Sequence, residues 1–311
     1  MKILNILFVI TFFSSSVSVY AGSELNSLNE KLEKLYFQGD YASAIIVAKT
    51  ALETAERNFG LSHSNVAASL NNLAEVYRVQ GKYAMAKPLL KRALSINKKS
   101  LGINHIDVAM NFNNLALLSH AQGRHEEAEI FHKRAISIKE RILGSDHSDV
   151  AMSLNNLASL YVSTDKFKLA ERLYKRAVEI NEKTYGLDHI SIATSLNGLA
   201  LIYEKKEKYE KAESLYKRAL KIVKKELGVE HPIVATSLNN LASVYIVQML
   251  YSQARPLLKR ALEIWEKSLG DDHPDVAIGL ENLAWLQRKT NQIEEANLTE
   301  KRAARIRSIE R

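Results

Sequence analysis

One six-residue pattern returns every 42 residues and limits what this chain can fold into. It stands as Ser69-Leu70-Asn71-Asn72-Leu73-Ala74 and as Asn111-Phe112-Asn113-Asn114-Leu115-Ala116. It returns at 153–158, 195–200, 237–242 and 279–284 without a slip. A fixed period of this length means a stack of one supersecondary unit, each copy burying its apolar face on the next. Counting domains by size therefore does not apply to these 311 residues. With only 12 Gly and 4 Pro, the composition favours helix throughout.

The punctuation gives the anatomy of one unit. Gly60, Gly102, Gly144, Gly186, Gly228 and Gly270 each follow a helical pattern, where Gly takes the left-handed conformation that ends a helix. Three residues on stand His63, His105, His147, His189, His231 and His273. Pro232 and Pro274 follow two of these and fit the first turn of the next helix. The first helix is expected over Ser64 to Gln80, with Val66, Leu70, Leu73, Ala74 and Tyr77 at the 3.6-residue period. Gly81-Lys82 makes the turn and the second helix runs from Tyr83 to Leu101. Most equivalent turns lack Gly, so they are expected to rest on packing more than on one special dihedral. Pro88 and Pro256 lie late for first-turn prolines and predict a small bend, or a helix that starts later.

The pattern extends backward to a first helix over Glu24 to Gln38 and its partner over Tyr41 to Phe59. The expected units are 22–60, 61–102, 103–144, 145–186, 187–228, 229–270 and 271–311, making seven antiparallel helix pairs. In the last pair, Glu300 stands where earlier units have Leu90 or Leu258, and Arg307 where one has Trp265. A polar outer helix suits the end of a stack.

Residues 1–21 read as an address. Met1-Lys2 precedes an apolar run from Ile3 to Phe13, then small residues ending in Val19-Tyr20-Ala21, the pattern of a secretory signal peptide. An uncleaved anchor is the alternative. The run falls short of the roughly 20 residues a membrane span takes, so no stable membrane insertion is expected after cleavage. The destination is then periplasmic or secreted. With no cysteine there is no disulfide, thiolate nucleophile or Cys-based zinc site.

The arrangement Leu70-x-x-Leu73-Ala74-x-x-Tyr77, followed by Ala86-x-x-x-Leu90-x-x-Ala93, resembles the tetratricopeptide repeat. The longer form, with Leu-Gly-x-x-His-x-x-Val-Ala between helix pairs, is similar to the kinesin-light-chain subtype. The resemblance covers about residues 23–311. It implies an all-α, right-handed α-solenoid whose first helices line a concave groove that holds extended peptides. The heptad coiled coil of true kinesin light chains is missing, which argues against a motor-adaptor role.

Chemistry is sparse. Six histidines at fixed spacing suggest a metal, but equivalent residues of neighbouring repeats lie about 10 Å apart and zinc ligands must sit near 2 Å from the ion. They are expected to pack and hydrogen-bond in the loops. No nucleophile–base–acid set or Gly-rich phosphate loop is present, so neither catalysis nor a cofactor is expected. The net charge is +8. Lys91-Arg92 recurs as Lys133-Arg134, Lys175-Arg176, Lys217-Arg218, Lys259-Arg260 and Lys301-Arg302 on the second helix. Acidic neighbours such as Glu129, Glu171 and Glu213 offset it, and no stacking aromatics are interleaved, so nucleic acid is not expected as a partner.

The asparagines remain. Mid-helix Asn costs about 0.5 kcal/mol against Ala, yet Asn71, Asn113, Asn155, Asn197 and Asn239 recur at one position and Asn72, Asn114, Asn156, Asn240 and Asn282 at the next. An amide both donates and accepts. A ladder of amides in the groove would bond a peptide backbone; alternatively, each Asn bonds the next repeat internally. Gly198 and Glu281 interrupt the ladder and would weaken affinity there. Specificity would come from positions that vary, such as Ala68, Met110, Met152, Thr194, Thr236 and Ile278. Trp285 and Arg288 would anchor an acidic or aromatic feature at the C-terminal end. The expected function is a non-catalytic scaffold or adaptor that binds a protein or peptide segment. The alternatives are a secreted effector engaging a host protein, or an accessory subunit of an enzyme complex.

Overall fold

The computed structural model describes residues 23–309; the expected leader at 1–21 lies outside them. Among the described residues there are fourteen α-helices and no strand: α1 Ser23–Phe37, α2 Tyr41–Phe59, α3 Ser64–Val79, α4 Tyr83–Leu101, α5 Ile106–Ala121, α6 His125–Leu143, α7 Ser148–Ser163, α8 Phe167–Tyr185, α9 Ile190–Lys205, α10 Tyr209–Leu227, α11 Pro232–Val247, α12 Tyr251–Leu269, α13 Pro274–Lys289 and α14 Ile293–Ile309. This is the all-α repeat solenoid that the period predicts. The residues fall into two compact units, one ending at Lys166 and the other beginning at Phe167.

Within each unit the first helix of a repeat is walled in and the second is not. Eleven of the 16 residues of α3 are buried, against five of the 19 of α4. The difference follows from neighbours: α3 packs on α2, α4 and α5. Close approach is set by alanines without exposed surface, among them Ala74, Ala86 and Ala93. In the second unit one core runs from Ile192 to Ile306, with Trp265 fully buried in it.

The caps are more specific than the sequence reading. All six loop histidines are N-caps: Nδ1 of His63 accepts the backbone N–H of Asn65 at 3.1 Å, and Nδ1 of His273 that of Asp275 at 3.1 Å. His105, His147, His189 and His231 repeat the bond. This satisfies one of the N–H groups that a helix start leaves open. The glycines that close the second helices have positive φ as expected, but not the helical ψ of a left-handed cap. Gly60 stands at φ 77°, ψ 161° and Gly270 at φ 92°, ψ 159°, a region open essentially to Gly alone.

The expectation about the tight turns is overturned. Gly39, Gly81 and Gly123 have φ of 70–73°, and Asp165, Glu207, Met249 and Asn291 adopt φ of 56–60° at the equivalent positions. Every turn uses one special dihedral, and four pay for it with a Cβ. The prolines do not delay their helices either: α4 and α12 start at Tyr83 and Tyr251. Pro88 and Pro256 lie on exposed faces, where water can take up the carbonyl each frees.

Candidate functional site

The asparagines settle on the internal arrangement. Asn71, Asn72, Asn155, Asn156, Asn197, Asn239, Asn240 and Asn282 are all 5% exposed or less. At three junctions the second Asn of one repeat donates to the first Asn of the repeat before. Asn156 Nδ2 reaches Asn113 Oδ1 at 3.1 Å, Asn282 Nδ2 reaches Asn239 Oδ1 at 2.8 Å, and Asn72 Nδ2 reaches Asn29 Oδ1 at 3.4 Å. Asn71 Oδ1 accepts instead from Asn111 Nδ2 at 3.0 Å, and Asn111 Oδ1 from Asn97 Nδ2 at 2.8 Å. A buried amide committed to the neighbouring helix is not open to a peptide backbone. Burial and these bonds speak against the groove ladder for Asn71, Asn72, Asn156, Asn239 and Asn282; Asn197 is buried as well, with its Oδ1 unpaired. Asn113 and Asn114 are half-buried. Asn113 Oδ1 also receives the His132 ring nitrogen Nδ1 at 3.1 Å. Burial holds the His132 ring neutral, with its pKa lowered to about 3.

The two interruptions of the ladder are structural too. A Cβ on Gly198 would stand 2.2 Å from Cζ of Tyr174, a fully buried ring where other repeats have Leu90 or Leu258. Gly198 is the space that Tyr174 fills. Glu281 accepts from Nε of Arg307 at 3.1 Å on the terminal helix.

Trp285 is half-buried, edge-on to Tyr251 at 6.3 Å, with Lys289 Nζ 5.4 Å from its ring centroid. Arg288 is exposed but engaged: Nε reaches Glu300 Oε1 at 2.7 Å and Nη2 reaches Asn297 Oδ1 at 2.8 Å. The sequence reading missed these partners because they lie on α14, outside the first helices.

What the first helices do leave accessible is a line five residues after the N-cap histidine. Ala68, Met110, Met152, Thr194 and Ile278 are half-buried there; Thr236 is closed off at 2%. This line is mostly apolar and changes along the chain, from Ala through Met and Thr to Ile. Next to it in the first unit, Glu75 accepts both Nε and Nη2 of Arg78 at 2.7 Å and Tyr36 Oη at 2.9 Å. His120 sits near that guanidinium; burial, with His125 and Arg78 nearby, lowers its pKa. In the second unit buried Glu204 takes the Ser243 hydroxyl at 2.9 Å.

The repeated Lys-Arg pairs are largely consumed by ion pairs. Lys133, Lys175 and Lys217 reach Glu129, Glu171 and Glu213 at 2.7, 2.9 and 2.6 Å. Among the described residues no three His, Asp or Glu side chains gather as a metal site, and no helix is long and apolar enough to cross a membrane.

Family comparison agrees with this anatomy. The tetratricopeptide repeat pattern matches in overlapping windows at residues 35–99, 65–141, 107–183, 149–225, 191–249 and 233–308. The chain belongs to the tetratricopeptide repeat family. Among solved structures, a Podosopora anserina protein described as "kinesin light chain nearly identical TPR-like repeats" is 27% identical. The match covers 66% of this chain and 97% of that one, with a TM-score of 0.54. BtubC (BKLC) from P. vanneervenii is 23% identical over 77% of this chain and 92% of its own, at a TM-score of 0.57. A Rap protein complexed with competence and sporulation factor is 20% identical, covering 92% of this chain and 75% of that one at a TM-score of 0.65. At these last two identities the tetratricopeptide fold is what is shared. No curated protein matches the chain.

Proposed function

We propose that this tetratricopeptide repeat protein is a non-catalytic scaffold or adaptor that binds a segment of a protein partner along its first helices. The observation that carries this reading is the division of labour on those helices. Asparagines tie neighbouring repeats at several junctions, while Ala68, Met110 and Met152 in the first unit, and Thr194 and Ile278 in the second, stay accessible and vary. Partially exposed methionines are adaptable, polarisable contacts that suit a binding surface. The Rap complex with its factor supports ligand binding as one use of this fold. The basic start and short apolar run at residues 1–21 support export, to a periplasmic or extracellular partner.

Replacing Met110 and Met152 together with Glu tests the reading. Capture of the partner from the source organism's envelope, or from host lysate for an effector, should fall at least about tenfold, a loss of roughly 1.4 kcal/mol. The melting temperature should change little, because both side chains are half-exposed. Undiminished capture would remove the first-helix face from the account.

A further inference from the structure

Neighbouring repeats are tied by two recurring polar contacts, and both are missing at one junction. In the first tie, a first-helix Tyr donates to a Glu of the preceding second helix. Tyr161 reaches Glu129 at 2.9 Å, Tyr203 reaches Glu171 at 3.0 Å and Tyr245 reaches Glu213 at 2.9 Å. In the second, an Arg of one second helix meets a Glu of the second helix before it. Arg92 pairs with Glu56 at 2.6 Å, Arg218 with Glu182 at 2.7 Å and Arg302 with Glu266 at 2.5 Å.

At the junction of α4, α5 and α6, every acceptor carboxylate is replaced by a cation. Ser119 stands in place of the Tyr and Lys87 in place of its Glu; Arg134 is in place and Lys98 replaces its Glu. Lys87, Lys91, Lys98 and Arg134 have no carboxylate partner among the described residues. The carboxylate that lines the junction, Glu127, is already held by Arg124 at 2.7 Å and by the Ser119 hydroxyl at 2.9 Å. Like charges brought together in this way are destabilising unless an anion joins them.

The same exchange opens space. A cavity of about 170 Å³ lies between α4 and α6, floored by Phe112, Leu115 and Leu118 and flanked by Phe131. Phe112 and Phe131 stack with centroids 6.0 Å apart, at positions where neighbouring repeats carry Leu70 and Leu89. Lys98 and Arg134 lie 5.1 and 5.6 Å from the Phe112 centroid, so one end of the set sits over the apolar floor.

We propose that this cleft, on the second-helix side, binds an extended acidic peptide segment of a partner protein. One carboxylate meets Lys87 and Lys91, another meets Lys98 and Arg134, and an aliphatic side chain between them enters the cavity over Phe112. Length favours a peptide over a single small anion. Lys87 to Lys98 spans about 16 Å of helix at 1.5 Å per residue, the reach of about five extended residues. A nucleic acid would satisfy the cations, but it has no aliphatic side chain to place in the apolar cavity.

The test is calorimetric titration of the full chain with an end-blocked peptide alternating Glu and Leu, about five residues long. A Gln-for-Glu peptide and a single-stranded oligonucleotide serve as comparisons. Saturable binding that weakens with salt is expected, at least about tenfold tighter than for the Gln peptide. Lys87→Glu with Lys98→Glu restores the charge pattern of the other junctions and should fold at least as well, yet bind at least about tenfold more weakly. Arg134→Gln, which adds no new pair, should weaken binding in the same direction. Absence of binding to the native chain would overturn the proposal. So would native affinity in both variants, or tighter binding of the oligonucleotide than of the acidic peptide.

Discussion

An amide buried between two helices has to find its partner inside the protein, and the neighbouring repeat is the nearest source. Asn282 and Asn239, 2.8 Å apart and both buried, therefore act as one unit. Removing either takes a buried hydrogen-bond partner from the other, at about 1–3 kcal/mol. Asn239→Ala and Asn282→Ala should each lower the melting temperature by several degrees. The double variant should cost less than the sum, with a coupling of about 0.5–3 kcal/mol in a thermal-unfolding cycle. Additive losses would mean that the bond contributes nothing. This reverses what composition alone suggests, since Asn→Ala favours an isolated helix. The helical wheel of Leu70, Leu73, Ala74 and Tyr77 places Asn71 and Asn72 away from their own second helix. It says nothing about the first helices on either flank. The legible signal was the offset of 43 residues joining Asn29 to Asn72, Asn113 to Asn156 and Asn239 to Asn282. Gly198 was readable only as a gap, because the ring that fills it, Tyr174, comes from a different helix.

Helix bounds were legible because apolar period and cap residues agree: α4 runs from Tyr83 to Leu101 as its pattern predicts. The turns were not, since a positive φ at Met249 leaves no trace in residue type. Strain at that position costs about 1 kcal/mol. Met249→Gly should raise the melting temperature by a degree or more. Gly144→Ala should lower it, although a Cβ there meets nothing within 4 Å, because φ is 89° and ψ 157°. Scanning calorimetry on the two variants checks both directions.

The His273 cap makes the start of α13 sensitive to acid. A cap works only while Nδ1 carries no proton. Burial lowers the His273 pKa to about 4, and that of His132, a buried ring inside α6 and not a cap, to about 3. The unfolded chain binds these protons near pH 6.5, so their stabilisation is complete above that value. It is lost as pH falls through 6.5 toward 4 and 3. Glu171, whose bonds from Lys206 and Lys175 hold it near 2, gives way only below about pH 4.5. A melting temperature that declines between pH 6.5 and 4.5, less steeply in His273→Asn, is the expected profile. A flat profile over that window would contradict the neutral-cap reading.

For the molecule as a whole, the even spread of +8 across the repeats is mostly internal bookkeeping between second helices, and the α4–α6 junction is where it fails to balance. Architecture was legible because a solenoid repeats its own evidence six times. The binding face was not, because function in such a fold resides where repeats differ, and difference has no period. On the proposed reading, the first helices divide into asparagines that join repeats and a variable, accessible line that would meet a partner. The most direct measurement is site-specific photocrosslinking in the native source, with a photoreactive residue placed in turn at Met110, Met152 and the exposed outer position Ile46. Adducts to one partner from Met110 and Met152, with none from Ile46, are predicted. Equal yields from all three, or adducts from Ile46 alone, would contradict the account.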